Sequence, residues 1–375
     1  MRTEVLAASF KNSQQILELC EYGVGAFYYC TGHYGGDDKN ECVTAAVERF
    51  VLILSNCAER ERQCQIARKF YAHAGASFQE EGMKTVGFDI GGTQLRAAIF
   101  DEARNMTDSY RTENDKGITA AFNMDKLIDF ILSKPYQYKR IVIGCPGTMD
   151  IRLGKLLCPP NLIGWDGFEI VKYVEERTGI CTTLNNDANL AGLAEARAGA
   201  GAGYESVVFM GISTGIGGAY VYQDKLVIGA NSNAAEFWNM VVNDDSYCHK
   251  NANAGSLNEQ SSGSGLQRIA SETYGRQMST SELFERYRRL DVRALKIIED
   301  AAEKLAKGIG NITCTIDPDI IIIGGSVALH NPDFVEKIFE KAKRYVLCPE
   351  NLKVKFAAFG DDAGLIGAAL LAEEG

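Results

Sequence analysis

Long apolar runs are missing from this chain. Segments such as FVLIL (50–54) and IIII (320–323) are strand-sized, far below the roughly 20 residues of a membrane-spanning helix. The N-terminus lacks the apolar core of a secretory leader. Basic charge is also scarce: 39 Lys and Arg against 49 Asp and Glu leave a net charge of -10 without a basic stripe. That balance argues against a nucleic-acid partner, which Lys and Arg clusters must hold. No CxxC pair occurs, and the eleven cysteines are irregularly spaced, as expected of reduced core thiols rather than a disulfide framework. A cytoplasmic protein without membrane contact is expected.

Two nucleotide signatures are absent as well. There is no GxxxxGK[ST] run, which excludes a P-loop enzyme. GAGAG (199–203) ends a helix pattern and precedes a strand pattern, the reverse of a dinucleotide-binding turn. What remains is an ordinary globular composition, 46% hydrophobic and 23% charged with 7 prolines, on a chain long enough for two domains.

Residues 1–82 read as strand, helix, strand, helix: TEVLAAS, SQQILELCEYG, AFYYC, then a helical stretch from about Cys42 to His73 bearing the charged run ERERQ. The small and polar tract AHAGASFQEEG leads to Met83, where a new domain is expected to begin. From Lys84, TVGFDIGGTQLRAAIF predicts two strands joined by a glycine turn, and ESVVFMGIS with GGAYVYQ repeats that device. CTTLNNDANLAGLAEARAGA predicts a short strand, an Asn/Asp cap and a helix with Leu190, Leu193 and Ala194 on its apolar face. Ile297, Ala301, Leu305, Ile309 and Ile312 share one face of a long helix. It leads into the apolar strand of DPDIIIIGGSVA, which is covered on both faces in layered α/β proteins. GDDAGLIGAALLAEE is a small-residue helix suited to close packing between domains.

Two glycine turns, each after a buried strand, suit a polyphosphate that backbone N–H groups approach closely. The first is Asp89, Ile90, Gly91, Gly92 and Thr93; the second is Ser213, Thr214, Gly215, Ile216, Gly217 and Gly218. Asp89 adds a carboxylate for a hydrated Mg²⁺. Asp187 stands at a helix start, where it can be an N-cap and also a general base held ionised by the positive helix end. Cys145 and Cys158 are read as core or lining residues, Asp150 and Asp166 as turn residues, and His33, His73 and His330 as isolated surface or loop residues.

The motifs DIGGTQLRAAIF, GCPGTMD, PPNLIGWDGF, NNDANLAGLAEA, GISTGIGGA, IIIIGGS and FGDDAGLIGAALLA, in this order, resemble the ROK family of sugar kinases and repressors over residues 84–375. The resemblance implies an α/β protein of the two-lobed actin-like (ribonuclease H-like) class, with an interdomain cleft and an N-terminal β-α-β-α extension. The boundaries expected are 1–82 for the extension, 83–200 for the N-terminal lobe and 201–375 for the C-terminal lobe, its last helix packing back on the first lobe. It also implies ATP and Mg²⁺ as cofactors, a sugar substrate phosphorylated at the 6-hydroxyl, and a homodimer. Asp187 becomes the catalytic base, Gly324 and Gly325 border the adenosine, and Asn161, Asn186 and Glu236 bind sugar hydroxyls.

Where many family members have E-x-G-H, a cysteine zinc motif and a second glutamate, this chain has AEFWNMVV and CHKNANAGSLNEQSSG. Trp238 and Asn239 replace Gly and His. His249, Asn251 and Ser256 fall at cysteine positions, and Asn258 at the glutamate. A tetrahedral zinc site needs four N or S ligands, so no structural zinc is expected. Amide and hydroxyl hydrogen bonds are expected to hold the loop. Asn239 and Asn258 are then expected in the sugar pocket, favouring a β-glucoside, an N-acetylhexosamine or another hexose.

Residues 3–50 resemble the last βα units of the transaldolase and fructose-6-phosphate aldolase family, with Ser9 and Lys11 at its phosphate positions. The lysine that forms the Schiff base lies upstream of that portion, so no aldolase activity is expected, and fusion of two reading frames at Met83 is one origin. Two further functions stand beside the kinase: a sugar-responsive transcriptional regulator and a non-catalytic sugar sensor. The strand-first, acidic residues 1–82 argue against the regulator's winged helix-turn-helix, and Asp89 with Asp187 against the sensor.

Overall fold

The computed structural model describes residues 82–159, 162–249 and 252–374. The expected extension, Asn161 and Asn251 lie outside the described residues. In chain order the elements are β1 (Lys84–Ile90), β2 (Gln94–Phe100), β3 (Met106–Glu113), α1 (Ala120–Leu132), β4 (Tyr138–Cys145), β5 (Thr148–Asp150), β6 (Lys155–Cys158), α2 (Ile170–Thr178), β7 (Thr182–Asn186) and α3 (Asp187–Arg197). Then follow β8 (Ser206–Ile212), β9 (Ile216–Tyr222), β10 (Lys225–Leu226), α4 (Leu257–Ser261), α5 (Gly263–Tyr274), α6 (Thr280–Arg288), α7 (Val292–Ile316), β11 (Ile320–Gly324), α8 (Ser326–Leu329), α9 (Pro332–Ala342), β12 (Val354–Phe356) and α10 (Ala363–Leu371).

Two five-stranded sheets share one plan: β3-β2-β1-β4-β7 and β10-β9-β8-β11-β12. Each opens with antiparallel pairing through a glycine turn and continues with two parallel strands. The repeated strand, glycine turn, strand pattern is therefore a repeated sheet. Val86, Phe88 and Ile90 alternate on one face of β1 and are fully buried in the core that also holds Leu127, Ile128 and Trp165, the period-2 pattern of a pleated strand. All five apolar positions predicted for the long helix are buried on α7, against the second sheet. Asp291 caps it, accepting from Arg293 N at 2.9 Å and Ala294 N at 3.3 Å.

α3 joins the two sheets. On one side Gly192 leaves room for β9, since a Cβ there would stand 2.3 Å from the Ala219 Cβ. On the other, a Cβ on Gly367 of α10 would stand 1.8 Å from the Leu190 carbonyl oxygen, so the two helices touch only because this residue is glycine. α10 also lies on the first sheet: Ala368 packs with Val142 and Leu190, and Leu365 and Ala369 with Ala98 and Phe100. Among the described residues, no helix is long and apolar enough to cross a membrane.

Candidate active site

β1, β4 and β7 run parallel and end side by side, with Asp89 opposite Gly144 and Cys145 opposite Asn186. Ligands of open α/β sheets gather beyond such carboxyl ends. The first glycine turn starts at this edge. Gly91 N donates to the Gln94 carbonyl at 2.8 Å, closing the hairpin. Asn114 braces it, its Nδ2 donating to the Gly91 carbonyl at 2.8 Å. Thr93 is exposed at the tip. Arg96, opposite Asp89 across the hairpin, donates to Asp89 Oδ2 from Nε at 2.8 Å and from Nη2 at 2.6 Å. Among the described residues, no donor reaches the other oxygen, which fits a hydrated divalent cation.

The second turn is held from behind. Ser213 N donates to the Gly215 carbonyl at 2.8 Å, while Gly263 N and Ser264 N at the start of α5 donate to the Ser213 and Thr214 carbonyls at 2.8 and 2.9 Å. Ser213 Oγ meets Ser326 Oγ at 2.9 Å. Gly325 has φ +84, and a Cβ there would stand 2.4 Å from the Ile212 carbonyl oxygen. Gly324 and Gly325 thus border the second turn. Beside them opens a cleft of about 280 Å³ whose lining includes Thr214, Ser264, Thr280, Arg288, Ser326 and His330. His330 is exposed as expected of a surface residue, but it faces this cleft rather than standing isolated.

Asp187 opens α3 at the same edge. The cap belongs to its neighbour: Asn186 Oδ1 accepts from Ala188 N at 2.9 Å and Asn189 N at 3.4 Å. Asp187 is the first helical residue, and its own Oδ1 accepts from Ala188 N at 2.8 Å. This corrects the N-cap reading of Asp187 and ties up the acceptor oxygen of Asn186, one of the expected sugar ligands. A Cβ on Gly144 would stand 3.8 Å from Asp187 Cα, and one on Gly217 would stand 2.7 Å from the Ala188 Cβ. Both sheets therefore abut the start of α3. Burial raises the Asp187 carboxyl from 3.8 to about 6, with the nearby charge of Asp89 adding to it and the Ala188 N–H opposing it. Some of its surface still meets solvent. Burial and the Asp187 and Asp89 charges push the Cys145 thiol well up, so it stays a protonated thiol in the core of the first sheet.

Glu236 lies close enough for its charge to act on Asp187. Its carboxyl is raised by burial, against the opposing bond from the Trp238 indole N–H to its Oε2. Asn239 and Asn258 are engaged elsewhere. Asn239 Oδ1 accepts from Asn253 N at 2.7 Å, and its carbonyl from Asn253 Nδ2 at 3.0 Å. Asn258 Oδ1 accepts from Ile216 N on the second glycine turn at 3.0 Å, and its Nδ2 donates to Glu259 Oε1 at 3.1 Å. Asn239 thus braces the loop and Asn258 the second turn.

Hydrogen bonds hold the loop that resembles the zinc segment. Asn243 Nδ2 and Lys304 Nζ donate to Gln260 Oε1 at 3.1 and 2.8 Å, and Gln260 Nε2 donates to Asp245 Oδ2 at 3.0 Å. Val242 N and Leu257 N complete it by donating to the Gly255 and Met240 carbonyls. Cys248 and His249 are exposed. Asp150 ends β5 rather than lying in the turn itself, and braces the turn that follows, its Oδ1 accepting from Leu153 N at 2.9 Å.

Sequence reasoning missed Arg96, Asn114 and the cleft residues on α6 and α8. Only Arg96 had a local signal, because a hairpin about Gly91 and Gly92 sets it directly opposite Asp89.

The ROK family pattern matches residues 85–375. The chain is similar to a glucokinase from Halalkalibacterium halodurans, 27% identical over 313 residues that cover 77% of this chain and 94% of that protein. It is also similar to a beta-glucoside kinase from Klebsiella pneumoniae, 29% identical over 293 residues, 76% of this chain and 95% of that one. Among solved structures it resembles a ROK hexokinase from Thermus thermophilus, with TM-score 0.72, 29% identity and coverage of 78% and 100% of the two chains. Two sheets of one plan, both abutting one helix start, and a family match that spans both place this chain in the ROK family.

Proposed function

We propose that this chain transfers the terminal phosphoryl group of ATP to the 6-hydroxyl of a hexose or hexose derivative, with Asp187 as general base. The observation that carries this reading is the abutment on the helix that Asp187 opens of β4, the strand paired with the Asp89 strand, through Gly144 and of the second glycine-turn hairpin through Gly217. Phosphoryl transfer needs positioning, charge neutralisation and an oriented nucleophile rather than covalent machinery. Asp187 accepts the proton of the attacking hydroxyl while the new O–P bond forms and ADP leaves. A carboxyl of pKa about 6 is mostly ionised at neutral pH yet basic enough to take a proton. The two turns, reaching from Asp89 to Thr93 and from Ser213 to Gly218, cradle the phosphates, and the cleft beside Gly324 and Gly325 accepts the nucleoside.

Asp89 would hold Mg²⁺ through water. That ion neutralises phosphate charge when bound with ATP.

Glu236 and Asn186 bind sugar hydroxyls, Asn186 through its amide nitrogen. Asn258 has both amide atoms engaged within the protein and Asn239 its amide oxygen, so the anomeric and C2 end of the pocket is shaped by Trp238 and the Asn239 amide nitrogen. This favours a β-glucoside or an N-acetylhexosamine. A coupled ADP-release assay across glucose, hexosamines and glucosides, with Asp187→Asn in parallel, tests both levels. A clear preference for free glucose defeats the narrower claim. No sugar-dependent ADP release from the wild type defeats the whole.

A further inference from the structure

We propose that Arg96 is a positioning residue for phosphoryl transfer, fixing the Asp89 carboxylate and registering the first glycine turn against the start of the last helix. This rests on the kinase reading above.

Arg96 places two N–H donors on one oxygen of Asp89, at 2.8 and 2.6 Å. Its remaining contacts lie far away in sequence. Nη2 also donates to the Asp361 carbonyl at 2.5 Å, and Nη1 to Asp362 Oδ1 at 3.3 Å. The pair is mostly shielded, with side-chain exposures of 14% for Arg96 and 20% for Asp89, so solvent screens it less than an exposed ion pair. A guanidinium spreads five donors over a planar fork and so reaches Asp89, Asp361 and Asp362 from separate edges, whereas the three donors of a lysine ammonium share a single point on a flexible stem.

The far end of this bridge is itself fixed. Glu195 is fully buried on α3, and its Oε1 accepts from Ala358 N at 2.8 Å and Phe359 N at 2.9 Å, just before Asp361. Its Oε2 accepts from Ala200 N at 3.0 Å. α3 begins with Asp187. A circuit of bonded groups therefore runs from Asp187 along α3 to Glu195, to the 358–362 segment, to Arg96 and back to Asp89. It sets the two site carboxylates relative to one another through the protein, while the second oxygen of Asp89 stays without a protein donor among the described residues.

The test compares full-length wild type, Arg96→Gln and Arg96→Lys by steady-state kinetics, by calorimetric binding of ATP with Mg²⁺ and with chelator, and by thermal unfolding of the unliganded protein. Misplacing a site group by about 1 Å costs up to about a hundredfold in rate, so Arg96→Gln should lower kcat by ten- to a hundredfold, with the sugar KM within about twofold. It should also lose most of the Mg²⁺-dependent gain in ATP affinity. Arg96→Lys should recover part of both. Wild-type kcat and Mg²⁺-dependent affinity in Arg96→Gln overturn the proposal. So does a loss of kcat that accompanies equal losses in sugar and nucleotide affinity and a collapse of unfolding temperature that lysine does not repair. If wild type turns over no sugar, the kinase reading fails by itself, and the calorimetry still decides whether Arg96 orders Asp89.

Discussion

Gly217 and Ala188 touch so closely that a Cβ on the glycine would stand 2.7 Å from the alanine Cβ. One belongs to the second glycine-turn hairpin and the other directly follows Asp187, so their contact sets the distance between phosphate loop and base. Gly217→Ala forces them apart. Overpacking of this kind costs about 1–3 kcal/mol, and the displaced turn should lower kcat more than the sugar KM. Denaturant unfolding and steady-state kinetics check both, and unchanged kcat would show that the contact does not govern the chemistry.

Acid should switch the reaction off through Asp187. The base works ionised, so kcat/KM falls as pH drops through about 6, and the residual activity of Asp187→Asn should lack that limb. A pH profile of both proteins is the measurement.

The same carboxylate weakens the fold at neutral pH. Its folded pKa of about 6 exceeds the ordinary 3.8, the reverse of a salt-bridged aspartate. Between those values the native state holds a proton that the unfolded chain has lost, so this residue's contribution declines as pH rises through the window. Asp187→Asn should therefore be the more stable protein at pH 7, by at most about 3 kcal/mol at 1.36 kcal/mol per pKa unit. Contact with solvent reduces the figure. The gap should close near pH 4, as thermal unfolding at both values would reveal.

Glu195 offers a contrast between stability and chemistry. Glu195→Ala leaves the amides of Ala200, Ala358 and Phe359 without their buried acceptor, at about 3–5 kcal/mol. Glu195→Gln keeps an acceptor oxygen and should lose less than half as much. Urea titrations rank the three proteins.

The loop at 239–260 should need no metal to stay folded, because Asn253 and Gln260 already tie it to Asn239, Asn243, Asp245 and Lys304. A chelator should move the unfolding temperature of wild type by no more than about 1 °C, where removal of a structural zinc from its ligands would cost far more. Asn253→Ala, which deletes one side-chain bond, should cost about 1 kcal/mol.

Local chemistry determined much of this protein in advance. Period-2 apolar strands flanking Gly-Gly pairs, and the apolar stripe from Ile297 to Ile312, can fold in essentially one local way, so both hairpins and α7 were legible residue by residue. The helix start at Asn186 and Asp187 was equally plain, although which of the two caps depends on backbone angles that composition does not reveal. Only tertiary structure decided the partners. Arg96 meets Asp361 and Asp362 across more than 260 residues, Asn258 braces Ile216 of the second turn, and burial rather than the helix end dominates the Asp187 carboxyl. Side-chain alternation and helix periodicity are written along the chain, whereas a hydrogen bond or a desolvated charge depends on which distant segments the packed core brings within a few ångströms.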